Sequence, residues 1–377
     1  MRTVRVWFNH WFSTAYHLIR LLKEDEKTRF AVVGSNADKN CVYRAVCDEW
    51  ATEPKIADGD EYVDFCLAFC VERKIDVFAP RRHMLSISRR LGEFDAIGVK
   101  TLVERDHRTM CVLSDKAKTY SMLAAAGFGC VPAHSVVTDV SGYVAAYGRH
   151  KTDKNRVCMK YAVDEGAASF RVVDGNVGHN LASKVGAKIT YENSVSALSR
   201  LGEFPALLVM PYIPGEEISV DCLPMPGGDH IAIPRFKSFG RSETIRFDKS
   251  IIDICDSFLC AAKLECPCNL QFKYDSGIPY LLEVNTRMSG GMHLSCMATG
   301  ANIPNIAVNR LLGVQKPASC KRIKQIVSYI ETPVIMAQAA NGQAAAGQAA
   351  TEHVATGQAA KGQAAAEQAA NGQAATA

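Results

Sequence analysis

The sequence predicts an α/β protein with three structured segments followed by a repetitive tail. Strands and helices alternate over the first third of the chain, a hairpin with one polar face lies at 269–285, and a five-residue repeat begins at Ala337. The 377 residues are enough for two or three domains, and 48% hydrophobic with 22% charged residues is typical of a globular protein.

Charge and composition argue against several classes of partner. The net charge of +4 is small, and no basic run or basic–aromatic stripe suits a nucleic acid, so we expect no nucleic-acid partner. The first residues do not read as a signal peptide, and no apolar run reaches membrane length. We therefore expect no membrane partner and a cytoplasmic protein, in which the fourteen cysteines are reduced thiols.

The first segment, 1–110, is predicted to contain a parallel sheet. Apolar strands are expected at 4–8, 30–34 and 76–80, with a helix after Thr14. Ligands of such sheets lie beyond the carboxyl ends of the strands. The residues expected there are Asn9, His10, Ser13, Thr14, Arg81 and Arg82. The two adjacent arginines suit a substrate carboxylate through forked hydrogen bonds, and they equally suit a surface salt bridge.

The hairpin at 269–285 carries the strongest chemical signal. Because side chains alternate along a strand, Glu283 and Asn285 share one face. If Tyr274 pairs with Tyr280, then Gln271 lies directly opposite Glu283. One carboxylate and two amide oxygens suit Mg²⁺, which prefers oxygen ligands and shares its shell with phosphates. An ordinary amphipathic hairpin with a solvated polar face would give the same pattern.

The residues after the hairpin extend this reading. Arg287 continues the parity of Glu283 and Asn285 and could hold a phosphate or an acyl phosphate. Upstream, Arg235 and Lys237 share strand parity and Arg241 follows a glycine, so we expect all three to face the same cleft as Glu283. There they would stabilise the charge that develops in phosphoryl transfer, although plain surface basic residues remain the alternative.

These motifs resemble a known superfamily. Gln271, the run Glu283-Val-Asn285-Thr-Arg287 and the downstream Ala298-Thr299-Gly300 look like the metal-binding segment of ATP-grasp enzymes, particularly the carbamoyl-phosphate synthetase and biotin carboxylase branch. The opening residues and the ETP near residue 333 also resemble stand-alone ATP-grasp proteins encoded beside tellurium-resistance-type operons.

The resemblance implies an α+β ATP-grasp fold and a division of the chain. A Rossmann-like domain would occupy 1–110, an N-terminal lobe 111–200 and a C-terminal lobe 201–336, with ATP between the lobes. Residues 337–377 repeat the consensus GQAAx, which cannot build a core, and we predict a disordered tail without a catalytic part.

The resemblance also implies nucleotide ligands in the middle of the chain. The phosphates would contact Lys116, Lys160 and the small-residue loop that contains Gly166; the base would contact the main chain of a hinge, and the ribose a glutamate. The hinge and ribose residues are Met210, Tyr212, Ile213 and Glu217. Pro211 stands where relatives carry an N–H donor, which leaves the base preference open.

The function implied is an ATP-dependent ligase with Mg²⁺ or Mn²⁺. A carboxylate would be activated as an acyl phosphate and captured by an amine or a similar nucleophile. Gln271, Glu283 and Asn285 would bind metal, and Arg235, Lys237, Arg241 and Arg287 would serve the phosphoryl group. A carbamoyl-phosphate-type kinase or carboxylase and an ATP-binding regulatory protein with weak catalysis stay open, as do the two substrates and a homodimer.

Overall fold

The computed structural model describes residues 3–164, 168–174, 188–238 and 241–336. The prediction for Gly166 and the predictions for the repeat from Ala337 onward lie outside these residues. Three sheets follow one another along the described chain. No helix within the described ranges has the length and apolar character needed to cross a bilayer.

The first sheet is parallel, as the alternation of strands and helices predicts, with strand order β3-β2-β1-β4-β5. Its strands are β1 (Thr3–Asn9), β2 (Arg29–Asn36), β3 (Glu49–Thr52), β4 (Val77–Ala79) and β5 (Lys100–Thr101). The accompanying helices are α1 (Ala15–Lys23), α2 (Gly59–Glu72), α3 (Met84–Arg89), α4 (Leu91–Ala96) and α5 (His107–Leu113). A 3₁₀ helix covers Val42–Val46.

The second sheet has the order β6-β10-β7-β8-β9 and is antiparallel except between its last two strands. Its strands are β6 (Ser135–Val137), β7 (Val157–Tyr161), β8 (Arg171–Val173), β9 (Lys188–Ile189) and β10 (Leu207–Pro211). The helices of this segment are α6 (Lys116–Ala125), α7 (Val140–His150) and α8 (Tyr191–Leu201). The strand that was assigned to the C-terminal lobe at 207–211 therefore belongs to this sheet, because its hydrogen-bond partners are β6 and β7.

The third sheet is antiparallel, with the order β15-β14-β11-β12-β13-β16. Its strands are β11 (Glu217–Leu223), β12 (Ile231–Lys237), β13 (Ser242–Ile245), β14 (Cys268–Asp275), β15 (Ile278–Asn285) and β16 (Gln325–Ser328). Its helices are α9 (Lys249–Ala262), α10 (Met292–Thr299) and α11 (Ile303–Leu311).

Packing across the segments places two elements against the third sheet or its helices. Leu123 of α6 shares a hydrophobic core with Ile218 and Leu270, so α6 is carried by the third sheet although it precedes the second. On the other side, Leu18 of α1 shares a core with Ile303 of α11. Burial of such side chains contributes roughly 1.5–3 kcal/mol each. The third sheet is therefore the element that holds the start of α6 and the first sheet near its polar face.

Candidate nucleotide and metal site

The hairpin of β14 and β15 contains a bulge that the sequence did not reveal. Gln271 pairs with Glu283 as expected, but Phe272 pairs with Leu281 and Tyr274 with Pro279, so the assumed pairing of Tyr274 with Tyr280 is wrong. One extra residue, Leu282, restores the register at Glu283.

Because of the bulge, the Leu282 carbonyl accepts hydrogen bonds from side chains of other segments. It accepts hydrogen bonds from Tyr120 Oη at 2.8 Å and from Lys160 Nζ at 2.9 Å. Because a bulged residue is left out of the ladder, its carbonyl is available to groups from other segments. The bulge thereby joins α6 and β7 to the hairpin.

A cavity of about 190 Å³ opens beside this hairpin and is called the nucleotide cavity below. Residues of α6, β7, the β10–β11 segment, β14 and β15 line it together. They are Lys116, Cys158, Lys160, Asp164, Phe170, Met210, Pro211, Tyr212, Ile213, Glu217, Gln271, Lys273, Leu282 and Glu283. Eight of the residues expected from the sequence thus come together, from parts of the chain up to 167 residues apart (116 to 283).

Two buried lysines dominate the electrostatics of the nucleotide cavity. Lys116 Nζ donates to the Asp164 carbonyl at 3.0 Å and lies 3.6 Å from Glu283 Oε2. Burial, and then the positive charge of Lys116, lower the pKa of Lys160 from 10.5 to about 8. Glu283 and Asp164 oppose this effect on Lys160, but desolvation outweighs them. A desolvated pair of cations favours the binding of an anion, because an anion brings countercharge into the site.

The hinge at 210–213 offers a different set of main-chain groups from the expected one. Tyr212 N–H donates to the Arg156 carbonyl at 2.7 Å, and Met210 pairs with Cys158 in the β7–β10 ladder. The Ile213 carbonyl already accepts from Lys273 Nζ at 3.1 Å. Of the main-chain groups expected to contact a base at Met210, Tyr212 and Ile213, the Tyr212 N–H and the Ile213 carbonyl are thus engaged within the protein.

Pro211 fits the β7–β10 ladder without the loss of a hydrogen bond. Hydrogen-bonded pairs alternate with non-hydrogen-bonded ones in an antiparallel ladder, and Pro211 pairs with Val157 one residue before the Tyr212–Arg156 bond. The position therefore requires no N–H. In the described part of the chain no acceptor is found for the Ile213 N–H. Together with the Pro211 carbonyl, it forms an acceptor–donor pair two residues apart at the cavity wall.

Glu217 begins β11 at the rim of the cavity. Its carboxylate is paired with Lys237 Nζ, and its strand partner on the other side is Lys273. Lys237 is therefore close to the ribose position implied for Glu217, although it does not line the cavity itself. Lys273 was not expected; its position two residues after Gln271 puts it on the same strand face and could have revealed it.

The three expected metal ligands lie side by side on β14 and β15. Asn285 Nδ2 donates to Glu283 Oε1 at 3.2 Å, and Gln271 is directly opposite Glu283. One carboxylate and two amide oxygens fit a hard divalent cation. Within the described residues, no three His, Cys, Asp or Glu side chains form a cluster that could hold a metal. A cation at these residues would therefore need further oxygen ligands, such as those of a phosphate.

Known proteins with the same arrangement of sheets identify the architecture. A family model described as "ATP-grasp in the biosynthetic pathway with Ter operon" matches residues 203–333. The biotin carboxylase domain dimer of Hydrogenobacter thermophilus 2-oxoglutarate carboxylase, solved with MgADP, ADP and bicarbonate, aligns over 85% of this chain and 72% of its own, at 17% identity and a TM-score of 0.62. This chain has the ATP-grasp fold.

Two further structures extend the ATP-grasp comparison. N5-carboxyaminoimidazole synthetase from Staphylococcus aureus aligns over 86% of this chain and 81% of its own, at 13% identity and a TM-score of 0.62. L-amino acid ligase from Bacillus licheniformis aligns over 82% and 75%, at 15% identity and a TM-score of 0.57. No curated protein matches the sequence.

Within the ATP-grasp fold, Arg235 has a different environment from the expected one. It shares the strand face of Gln271, since Ser219 pairs with both. Its guanidinium is buried, however: Nε donates to Asp221 at 2.8 Å, and Nη1 is paired with Glu243. The expectation that Arg235 faces the cleft is corrected, because a fully buried carboxylate draws the side chain away from the cavity.

Arg241 and Arg287 also lie apart from the nucleotide cavity. Arg241 pairs with Glu331 at 2.6 Å, near β13 and the edge strand β16, which corrects the expectation that it faces the same cleft as Glu283. Arg287 lies beyond Asn285, where Nη1 donates to the Met288 carbonyl at 3.4 Å and the guanidinium sits 5.6 Å from the centre of the Phe12 ring. Arg287 therefore stands between the end of β15 and the segment that follows β1.

Proposed function

We propose that this chain is an ATP-dependent ligase that activates a carboxylate as an acyl phosphate and transfers the acyl group to an amine or a similar nucleophile. The observation that carries the proposal is the nucleotide cavity, where Lys116, Lys160, Glu217, Gln271 and Glu283 meet. The ATP-grasp fold supports it, because the structurally similar proteins include a carboxylase domain, a synthetase and an amino acid ligase.

ATP is a substrate in this proposal, and the cavity provides a group for each part of it. Lys116 and Lys160 face the phosphates as buried cations. Glu217 accepts from the ribose hydroxyls at the rim. The Pro211 carbonyl and the Ile213 N–H suit a base edge that carries one donor beside one acceptor, which adenine has.

Gln271, Glu283 and Asn285 would hold Mg²⁺, with Mn²⁺ as a substitute. When bound, such a cation neutralises phosphate oxygens and so favours the transfer of the γ-phosphoryl group. The chain's own contribution is to position the groups and to exclude water. Lys116 and Lys160 supply fixed positive charge in a desolvated site, where it acts more strongly than in bulk water.

The reaction has two steps in this proposal. A carboxylate oxygen attacks the γ-phosphorus of ATP, the bond to the β-phosphate oxygen breaks, and ADP leaves. The amine nitrogen then attacks the acyl carbon, phosphate leaves, and the nitrogen loses a proton. Arg287 stands beside the metal strand, where it would hold the acyl phosphate, and Lys237 braces Glu217. Arg235 would act by positioning the sheet through Asp221, and no contact of Arg241 supports a catalytic role.

The test is ADP release from Mg-ATP by the full chain with pooled carboxylates and amines. We expect a particular pair to stimulate release, and Glu283→Gln to reduce that stimulated rate by about 100-fold or more through the loss of charge at the metal site. Asp253→Asn, an exposed residue of α9 paired with Lys249, is the matched control and should leave the rate unchanged.

Other outcomes would identify the other functions. Release that depends on bicarbonate alone would indicate a carbamoyl-phosphate-type kinase or a carboxylase. ATP binding without stimulation by any pair would favour a regulatory role, and no ATP binding would refute the proposal. A cytoplasmic location belongs to the proposal because ATP is available there. A homodimer also belongs to it, because the structurally similar carboxylase domain is a dimer.

A further inference from the structure

A second cavity, of about 470 Å³, lies at the carboxyl ends of β1 and β4 and is called the arginine pocket below. This is the edge at which ligands of parallel sheets bind. Its walls combine two arginines, two histidines, two aromatic rings and an amide. The lining residues are His10, Trp11, Phe12, Asn36, Arg81, Arg82 and His83. No acidic side chain is among them, so the pocket favours an anion.

Both histidines are held in an unusual backbone conformation. His10 has φ +48° and His83 has φ +50°, in the left-handed region that side chains other than glycine rarely adopt. Such residues cost of order 1–3 kcal/mol each and cluster at binding sites. His10 Nδ1 lies 3.8 Å from Oε2 of the buried Glu53. Within the described residues, His83 Nε2 is buried without a hydrogen-bond partner, which leaves capacity for a hydrogen bond to a ligand.

A buried network below the pocket fixes its walls. Tyr62 Oη donates to Glu53 Oε2 at 2.6 Å, and Asn9 Nδ2 donates to Tyr62 Oη at 2.9 Å. Asn9 Oδ1 in turn accepts from the Arg81 N–H at 2.7 Å. The Arg82 guanidinium lies over the Tyr62 ring, 5.0 Å from its centre. The two arginines are thus anchored at the main chain and at an aromatic face, which preorganises the pocket.

The arginine pocket adjoins the chain that leads to the metal strand. The Phe12 ring, part of its wall, lies 5.6 Å from the Arg287 guanidinium and 5.8 Å from that of Arg81. A Cβ at Gly290 would meet Thr14 Oγ1 at 3.3 Å and Phe12 at 3.5 Å, so the loop after Arg287 packs closely on this wall. Arg287 follows Asn285 by two residues. A molecule in the arginine pocket is therefore flanked by Phe12 and Arg287 on the side of the ligase site.

We propose that the arginine pocket binds a second acidic group of the carboxylate substrate, so that the substrate is a dianionic small molecule, either a dicarboxylate or a phosphorylated acid. This rests on the proposed function. The reacting carboxylate would lie on the Arg287 side, and the second anionic group would lie among Arg81, Arg82 and the two histidines. The carbon skeleton between them would lie against Trp11 and Phe12.

The two kinds of second group share the same recognition chemistry. A guanidinium binds a carboxylate or a phosphate through two parallel hydrogen bonds, and a ring N–H adds a further donor to either. Burial lowers the pKa of both His10 and His83, so the two arginines supply the positive charge of the pocket. Arg81 and Arg287 lie at the same Phe12 ring, so a molecule with one acidic group at each end matches the two guanidinium positions.

Binding is tested by calorimetric titration of the full chain with matched acids. Succinate and O-phosphoserine carry two anionic groups, and butyrate has the chain length of succinate with only one. We expect the better dianion to bind at least about tenfold more tightly than butyrate, because each additional charge-assisted contact contributes about that factor. Stronger binding of succinate or of O-phosphoserine will distinguish a dicarboxylate from a phosphorylated acid.

Variants locate the binding. Arg81→Gln and Arg82→Gln should each weaken dianion binding about tenfold and leave butyrate binding unchanged. Arg105→Gln is the control, because Arg105 pairs with Asp95 on the exposed surface of the same segment. Equal binding of butyrate and both dianions by the wild-type chain would overturn the proposal. So would dianion binding that the two arginine variants, shown to be folded by circular dichroism, retain in full.

Titration with ATP separates this proposal from the ligase itself. Loss of dianion preference with ATP binding intact would refute the arginine pocket alone. Dianion binding that depends on Arg81 and Arg82, in a chain that fails to bind ATP, would keep the pocket and refute the ligase.

Discussion

Asp221 and Glu283 lie on one face of the third sheet, and the charged side chains around them are held in opposite ways. In the Asp221 cluster, the buried carboxylate accepts from Asn269, Ser289, Ser295 and Arg235 at 2.6–2.9 Å, so that every lone pair has a donor. In the nucleotide cavity, Lys116 and Lys160 donate to the main-chain carbonyls of Asp164 and Leu282, and the nearest Glu283 oxygen is 3.6 Å from Lys116 Nζ.

The difference separates a structural ion pair from a binding site. The Asp221 cluster is closed, and even the neighbouring glycine is fixed by it: a Cβ at Gly291 would lie 2.4 Å from the Arg235 guanidinium. In the nucleotide cavity the two buried lysines donate to main-chain carbonyls rather than to carboxylates, and they lie beside open volume. Strand parity puts Asp221 and Glu283 on the same face. Only the balance of charge and hydrogen bonds distinguishes the closed cluster from the open cavity.

The largest expected effect on stability concerns the Asp221 cluster. Asp221→Asn should lower the free energy of unfolding by roughly 3–5 kcal/mol, because it removes the main countercharge of a buried guanidinium. Urea unfolding followed by circular dichroism measures the change. Asp253→Asn removes an exposed partner of Lys249 and should change stability by no more than about 0.5 kcal/mol. A similar small effect of both variants would show that the cluster does not stabilise the fold.

In the nucleotide cavity, Lys160→Met should weaken ATP binding without lowering the stability of the fold. The substitution removes a desolvated cation, so we expect the free energy of unfolding to stay equal or to rise by roughly 1 kcal/mol. ATP binding should weaken by about 100-fold, because a charge-assisted contact to phosphate is lost. Calorimetry and urea unfolding of the same preparation test both effects, with the exposed Lys249→Met as the control. A marked loss of stability would contradict the contrast with Asp221.

The pH dependence of ATP binding sharpens the same contrast. In the free protein the pKa of Lys160 is about 8, below its usual 10.5, so half of the side chains have lost the proton near pH 8 and most have lost it by pH 9.5. ATP affinity should therefore fall several-fold between pH 7 and 9.5. Lys160→Arg keeps the charge at these pH values and should remove most of this fall. A pH profile that is the same for both proteins would show that Lys160 does not titrate in the free cavity.

The same lowered pKa predicts the stability of the free protein in alkali. Between about pH 8 and 10.5 the unfolded chain binds more protons at Lys160 than the folded chain does. This group therefore makes the folded state more stable as pH rises through that window. The effect should be absent in Lys160→Met, which urea unfolding at pH 7.5 and 10 would measure.

The smallest expected effect concerns the edge of the Asp221 cluster. His293 stacks on His17 with ring centres 4.3 Å apart, and burial, followed by the charge of His17, lowers its pKa to about 4. Because the unfolded chain takes up the proton first, stability should fall as pH drops from about 6.5 toward 4. His293→Gln should reduce this loss by about 1 kcal/mol at pH 5, measured by urea unfolding at pH 7 and 5. An unchanged loss would place the acid sensitivity elsewhere.

Elements with a strong local signal were predictable from the sequence. The parallel sheet and the helix that begins at Lys116 follow from apolar periodicity and capping residues. The opposition of Gln271 and Glu283 was predicted from a wrong turn register, and it holds because the bulge at Leu282 shifts the pairing by one residue. Several helices were not predicted, among them α9 and α11. Among the unexpected lining residues of the arginine pocket, Trp11 comes from the loop after β1 and Asn36 is the last residue of β2, so their meeting depends on how the strands pair.

By itself, the sequence determined which residues share a strand face and which carry oxygen or positive charge. It placed Gln271, Glu283 and Arg235 on one polar face, because the strand period is two. Only the tertiary structure decided that Leu282 bulges toward Lys160, that Arg235 turns to Asp221, and that His10 and His83 line one pocket. The physical reason is the separation in sequence of the residues involved. Periodicity is set by adjacent residues, whereas charge compensation depends on partners that are distant in the chain.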